Sequence, residues 1–313
     1  MAMSLTQAAT PAPATTAVFA GATPAGATPV TAPGPGLAGL VWCDGLLHPA
    51  ETALVPVDDH GLVVGDGVFE TLATNSGKAF AVRRHLDRLR HSAAGMDLEV
   101  PFSDAVLAVA MAAVIASHPD PDQALRVRLT VTAGSCPLGS ARGGGPCRVI
   151  VAAGPLGTVA DRAAVVEVPW VRNERGALSG LKTTSYGENV LALAYAHRHG
   201  GDEAIFANTV GELCEGTGSN IFVVIDDKVL TPPLSSGCLA GVTRALVLEA
   251  GLAQEATLPL SALYDASEAF LTSTARLGQP IGSVDGKPLA PPSPRTLAVA
   301  AALHQLMERN ENP

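Results

Sequence analysis

The chain has 313 residues, enough for two domains, and although 47% of them are hydrophobic, no apolar run is long enough to span a bilayer, so no membrane segment is expected. Its formal net charge of −9 is unevenly placed, because the first basic side chain is Lys78; a chain with this balance is a poor partner for nucleic acid. The five cysteines, Cys43, Cys136, Cys147, Cys214 and Cys238, make no Cys-x-x-Cys pair and have no histidine at ligand spacing, which argues against a metal centre and fits reduced thiols in the cytoplasm.

Residues 1–36 are dominated by Ala, Thr, Pro and Gly, with no arginine, no basic start and no sustained apolar core. They read as a disordered extension rather than a secretory or transit signal. Leu40–Cys43 and Leu46–His48 flank Asp44-Gly45, a strong hairpin signal, and Val68–Thr74 and Ala79–Val82 form a second hairpin around Asn75-Ser76-Gly77-Lys78. Arg83–Ala94 and Ser103–Ser117 follow as helices, then strands at Leu125–Thr132 and Arg148–Ala153. This predicts a small α+β domain over residues 37–154. Gly154-Pro155-Leu156-Gly157 breaks both periodicities and serves as the linker to a larger domain, residues 155–313. That domain is predicted to hold a strand at Ala164–Pro169, a helix from Ser185 to His199, and strands at Glu203–Ala207, Ile221–Ile225 and Val229–Leu230. A helix at Val242–Ala250, strands near Ala269–Leu271 and Pro280–Val284, and a helix at about Pro294–Glu308 complete it. Gly134 to Gly145 is rich in glycine but lacks the Gly-Lys-Ser/Thr ending of a phosphate loop; it reads as a mobile loop over the mouth of a site, or as a disordered excursion between strands.

Lys182, in Gly180-Leu181-Lys182-Thr183-Thr184, is followed by Glu215 in Glu215-Gly216-Thr217-Gly218-Ser219-Asn220, by Gly241-Val242-Thr243-Arg244 and by Leu271-Thr272-Ser273-Thr274. Singly, these residues are a surface lysine, a strand-end carboxylate and a helix cap. In this order they look like a site for pyridoxal 5'-phosphate. A lysine amine condenses with the cofactor aldehyde, and a carboxylate keeps the pyridine nitrogen protonated so that the ring accepts electrons. A helix beginning at Val242 points its first N–H groups at a phosphate, and Thr243, Ser273 and Thr274 add hydroxyls. Glu215 is expected to stay ionised, with its pKa lowered by the ring N–H. Tyr186, four residues after Lys182, stands evenly between a bond to the cofactor's phenolic oxygen and a place in the core.

With these residues on the page, the chain resembles the class-IV aminotransferase family, the fold-type IV pyridoxal phosphate enzymes, from about Leu40 to about Pro288. The N-terminal half carries the resemblance in Asp59-His60-Gly61-Leu62, Gly65-Asp66-Gly67-Val68-Phe69-Glu70-Thr71-Leu72 and His85-Leu86-Asp87-Arg88-Leu89. It implies an α+β two-domain fold of the D-amino acid aminotransferase type, Arg88 as a phosphate contact, and a homodimer. The members include branched-chain aminotransferases, D-amino acid aminotransferases and 4-amino-4-deoxychorismate lyases. Thr71 stands where branched-chain enzymes usually carry glycine. Of the basic pair that D-specific enzymes use for the α-carboxylate, this chain offers only Arg142 as a counterpart; Asn189 looks like the lyase pattern, and for His60 a place near the pocket and a place in a turn both stand open, the turn first. The resemblance therefore points first to 4-amino-4-deoxychorismate lyase, forming p-aminobenzoate and pyruvate. An aminotransferase for branched-chain or D-amino acids is the alternative, and a non-catalytic cofactor-binding protein a remote one.

Overall fold

Asp44 and Gly45 both adopt positive φ, 48° and 101°, closing the two-residue hairpin between β1 (Leu40–Cys43) and β2 (Leu46–Pro49). The computed structural model describes residues 37–291 and 294–313, so the expected extension over residues 1–36 lies outside the described residues. A four-residue helix, α1 (His60–Val63), leads into β3 (Gly67–Asn75), which turns back through Ser76 and Gly77 into the short β4 (Lys78–Ala79). Helices α2 (Val82–Gly95) and α3 (Asp104–Ala116) precede β5 (Leu125–Thr132) and β6 (Arg148–Pro155). Ser103 caps α3 by accepting from Val106 N–H.

These six strands form an antiparallel sheet in the order β2-β1-β6-β5-β3-β4. Its core is the alternate residues Leu125, Val127, Leu129 and Val131 with Leu86, Leu89, Leu107 and Met111 of the two helices. β6 runs on through Gly154 and Pro155, which pair with Arg126 and Leu125. The connection therefore begins at Leu156, later than the glycine and proline suggested; a proline is tolerated there because the strand is ending.

The chain then enters β7 (Ala163–Arg172), α4 (Gly187–Arg198), β8 (Glu203–Asn208), β9 (Leu213–Gly216), β10 (Asn220–Ile225) and β11 (Lys228–Thr231). It continues through α5 (Val242–Glu249), β12 (Gln254–Glu255), α6 (Ala262–Asp265), β13 (Glu268–Thr272), β14 (Leu277–Val284), β15 (Lys287–Pro288) and α7 (Pro294–Arg309). The nine strands make a mixed sheet, β12-β11-β10-β13-β14-β7-β8-β9 with β15 on β14, in which β7 runs parallel to both β8 and β14. One face packs α5 and α7 over the stacked rings of Phe222 and Phe270, 4.8 Å apart; on α4, the small Ala192 and Ala196 let the helix lie close to Val166 and Val168. No helix among the described residues is long and apolar enough to cross a membrane, and the five cysteines are free thiols.

Candidate active site

The segment carrying Lys182 is annealed to β3. Phe69 N–H donates to Lys182 O at 3.0 Å, Thr184 N–H donates to Gly67 O at 2.8 Å, and Ser92 of α2 accepts from Lys182 N–H at 3.0 Å. The approach requires small residues: a Cβ on Gly67 would fall 2.6 Å from Val131 O, and one on Gly95 would meet Leu181 at 2.7 Å. With its backbone held, Lys182 projects into a cavity of about 1360 Å³, its Nζ 4.3 Å from the centre of the Phe69 ring. Burial, aided by the positive charge of Arg88, lowers the amine pKa to about 8. An amine-selective acylating reagent should therefore modify Lys182 in the cofactor-free protein half-maximally near pH 8, as mapped by peptide mass spectrometry. Reactivity rising only above pH 10, as for a solvated lysine, would contradict this environment.

Glu215 enters the same cavity from β9, opposite Phe206 of β8. Its carboxylate accepts from Leu239 N–H at 2.8 Å, and Arg172 Nε stands 3.3 Å away. Arg172 is itself steered, its guanidinium 4.3 Å over the Phe206 ring and bonded to Glu188 at 3.3 Å. In the cofactor-free protein burial raises the Glu215 pKa, and the Arg172 charge and the Leu239 N–H partly offset that rise; the lowering expected from a ring N–H concerns the cofactor-bound state.

Arg88, from α2, forks onto the fully buried Glu70 at 2.8 and 2.7 Å and donates to Ala240 O at 3.0 Å. That uses three of its five N–H groups and leaves two for a ligand in the cavity it lines. Burial would raise the Glu70 pKa, but the Arg88 charge and hydrogen bonds, with help from His85, lower it to about 2. Ala240 O lies just before α5, so Arg88 and the start of that helix converge. The N–H groups of Val242 and Thr243 have no acceptor among the described residues. Gly241 supplies the close approach, since a Cβ there would stand 1.9 Å from Asn220 Oδ1. The Thr243 and Thr274 hydroxyls, expected as phosphate donors, give their protons to Ser273 O at 3.2 Å and Thr71 O at 2.7 Å. They lock the turn that Ser273 and Arg276 close by reciprocal backbone bonds.

Of the substrate-side residues named from sequence, two lie outside the cavity. His60 is fully buried, its ring bonded to Asp66 at 3.1 Å, to Gly139 O at 2.8 Å and to Pro137 O at 3.2 Å; Arg142 forks onto Asp66 at 2.7 and 2.6 Å and donates to Asp97 O. Together they fasten the glycine-rich segment to the first sheet, so neither the loop over the mouth nor Arg142 as a carboxylate ligand is supported by this geometry. Asn189 reaches the cavity and gives one amide N–H to Thr217 O at 2.6 Å, and Tyr186 gives its phenol proton to the same carbonyl at 3.0 Å. Four cavity-lining arginines went unnoticed in the sequence: Arg126, Arg128, Arg172 and Arg276. Arg126 and Arg128 alternate along β5 and line the cavity. Arg128 lies 3.2 Å over the same Phe69 ring that carries Lys182, bonds only Thr130 Oγ1 at 3.2 Å, and has no carboxylate partner among the described residues. Burial lowers its pKa to about 10.

The residues present fit pyridoxal phosphate: a buried amine, a carboxylate across the cavity, and an arginine beside a helix start whose glycine admits close approach. A family model for amino-transferase class IV matches residues 67–284. A branched-chain-amino-acid aminotransferase of Pseudomonas aeruginosa is 32% identical over 267 residues, covering 80% of this chain and 86% of the relative. A bifunctional aminodeoxychorismate lyase / D-amino acid transaminase of Mycobacterium tuberculosis is 31% identical, covering 82% and 93%. The crystal structure of a branched-chain aminotransferase from Thermoproteus uzoniensis superimposes with a TM-score of 0.80 at 29% identity, covering 88% of this chain and 97% of the other.

Proposed function

Since the chain belongs to the amino-transferase class IV family, whose members use pyridoxal phosphate, we propose that it moves the amino group of aliphatic amino acids, the branched-chain ones first, to a 2-oxo acid. The observation that carries this reading is Arg128, a guanidinium without a carboxylate on the ring that also carries Lys182. A half-buried cation with no carboxylate at ion-pair distance among the described residues is a receptor for a substrate carboxylate. Phe69, Leu156, Val159 and Leu178 give the same cavity an apolar wall for an aliphatic side chain. The relatives named as branched-chain aminotransferases support transfer over the lyase reading.

Pyridoxal phosphate, when bound, supplies an aldehyde for the lysine and a ring that accepts the electron pair of the Cα–H bond. Arg88 and the N–H groups of Val242 and Thr243 would hold its phosphate, and Glu215 would hold the proton on its ring nitrogen. Lys182, whose amine pKa burial lowers to about 8, would serve as the base that takes and returns the substrate's Cα proton. Arg128 orients the substrate by its carboxylate.

Arg128→Met keeps an unbranched apolar stem and removes the guanidinium fork. KM for the amino acid should rise about 10- to 100-fold with a smaller fall in kcat, the size of a lost charged hydrogen bond. An unchanged KM would remove the assigned role of Arg128. Cofactor-loaded protein supplied with L-leucine, L-valine, D-alanine or 4-amino-4-deoxychorismate, each with 2-oxoglutarate, tests the function. Glutamate formed from the L-aliphatic donors is the expected result; glutamate from D-alanine alone would move the stereochemistry, and p-aminobenzoate with pyruvate would restore the lyase.

A further inference from the structure

Glu203, the first residue of β8, is 1% exposed, and its two oxygens gather donors from three places. Oε1 accepts from Thr217 N–H at 3.0 Å and from the Thr217 hydroxyl; Oε2 accepts from Ser219 Oγ at 3.1 Å and from Arg276 at 2.5 Å. Gly216 makes room for this, since a Cβ there would stand 2.4 Å from Ser219 Oγ and 3.2 Å from Glu203 Cδ. The carboxylate thus fixes the turn after Glu215 and joins it to the turn that Ser273 and Arg276 close. Thr217 is gripped on both sides, its N–H and hydroxyl by Glu203 and its carbonyl by Tyr186 and Asn189. A phenol has one proton. While Tyr186 gives it to Thr217 O, the phenol oxygen can meet a ligand only as an acceptor.

We propose that Glu203 is a positioning residue that, through Thr217, holds the Tyr186 phenol as a hydrogen-bond acceptor within the Lys182 cavity. The backbone closes this turn through Gly216 N–H to Ser219 O at 2.8 Å, but the Thr217 N–H itself bonds the Glu203 side chain and not a strand partner, so the orientation of the Thr217 peptide depends on Glu203. If Thr217 is released, the phenol is free to turn its proton toward the cavity. There it would stabilise negative charge on the cofactor's ring oxygen and weaken that oxygen's hold on a neighbouring proton.

The proposal rests on the cofactor assignment and not on the choice of amino acid, so its test needs no substrate. The visible absorbance of pyridoxal-phosphate-loaded protein is titrated against pH for the wild type, Glu203→Gln, Tyr186→Phe and the double variant, with melting temperature followed in parallel. Glu203→Gln should lower the midpoint by about half a unit or more, and on the Tyr186→Phe background it should add nothing, the signature of two residues acting through one contact. Equal shifts in both backgrounds, or no shift in a folded variant, would overturn the proposal and leave Glu203 a structural clamp. Should Glu203→Gln fail to fold, Thr217→Val, which removes the hydroxyl but keeps the backbone bond, takes its place in the same cycle, with a smaller shift expected and the same outcomes deciding. Loss of transaminase activity toward every amino acid would not affect this reading, and an unchanged midpoint would not affect the transaminase.

Discussion

Lys182→Ala should lower the rate of amino transfer by at least ~10³-fold, about 4 kcal/mol of barrier, since one side chain provides both the covalent tether and the proton shuttle. The fold should survive the change. Lys182 is held by its backbone, through Phe69 N–H, Gly67 O and Ser92, and none of those bonds involves the amine. Removing a cation that burial already disfavours has little cost in the core. Two measurements separate the roles: the visible absorbance that depends on a lysine linkage disappears, and added methylamine restores part of the rate by replacing the base but not the tether. A variant that keeps its absorbance would show that another amine is the tether, and the reading of the site would fall with it.

Glu215→Gln should cost about 10²- to 10³-fold in kcat, the scale for deleting one preorganised charge aimed at the reacting group. The amide keeps the shape and can still accept from Leu239 N–H, so cofactor binding should weaken much less than turnover. Arg172 makes the prediction sharper. In the wild type its Nε faces a carboxylate at 3.3 Å. In the variant, the half-buried Arg172 keeps only Glu188 as a carboxylate partner, and its charge, no longer offset by Glu215, further disfavours a proton on the nearby ring nitrogen. Rapid mixing with L-leucine, read as the first-turnover absorbance change, separates the slowed proton removal from release steps. If turnover and cofactor affinity fell by the same factor, Glu215 would be a binding residue only.

The two hairpins were legible because Asp44-Gly45 and Ser76-Gly77 carry the positive φ values that such turns demand, and the β5 and β6 ranges because alternation is strict where one face is buried. The elements left out are α1, β9, β12, α6 and β15. With two to four residues each they are too short to show a period; β9 and β15 are the return arms of hairpins on β8 and β14, and β12 is placed by pairing with β11. Lys182, Glu215, Arg88 and Tyr186 were visible as ordered motifs, and they converge on one cavity. Arg126 and Arg128 were missed for a different reason. On a strand, a polar face turned toward a cavity has the same alternation as one turned toward water, and only the other sheet decides which it is. The glycine-rich segment misled in the opposite sense: its composition permits motion, yet His60, fixed 79 residues earlier in the chain, binds Gly139 O. Glycine content reports what the backbone is allowed to do, and the side chains that restrain it are elsewhere in the sequence.

Arg88 belongs to two ledgers at once. In the proposed reading it grips the cofactor phosphate, and it is the main partner of Glu70, a carboxylate with no solvent exposure in the first sheet. Losing it would strand a buried charge, a defect worth about 3 to 5 kcal/mol, comparable with much of the net stability of a domain. A sequence change at this position would therefore act as a folding lesion before it could act as a binding lesion. Selection for a stable chain alone would preserve the arginine even in a descendant that had abandoned its cofactor, so its persistence in a homologue is no evidence that the homologue is still an enzyme.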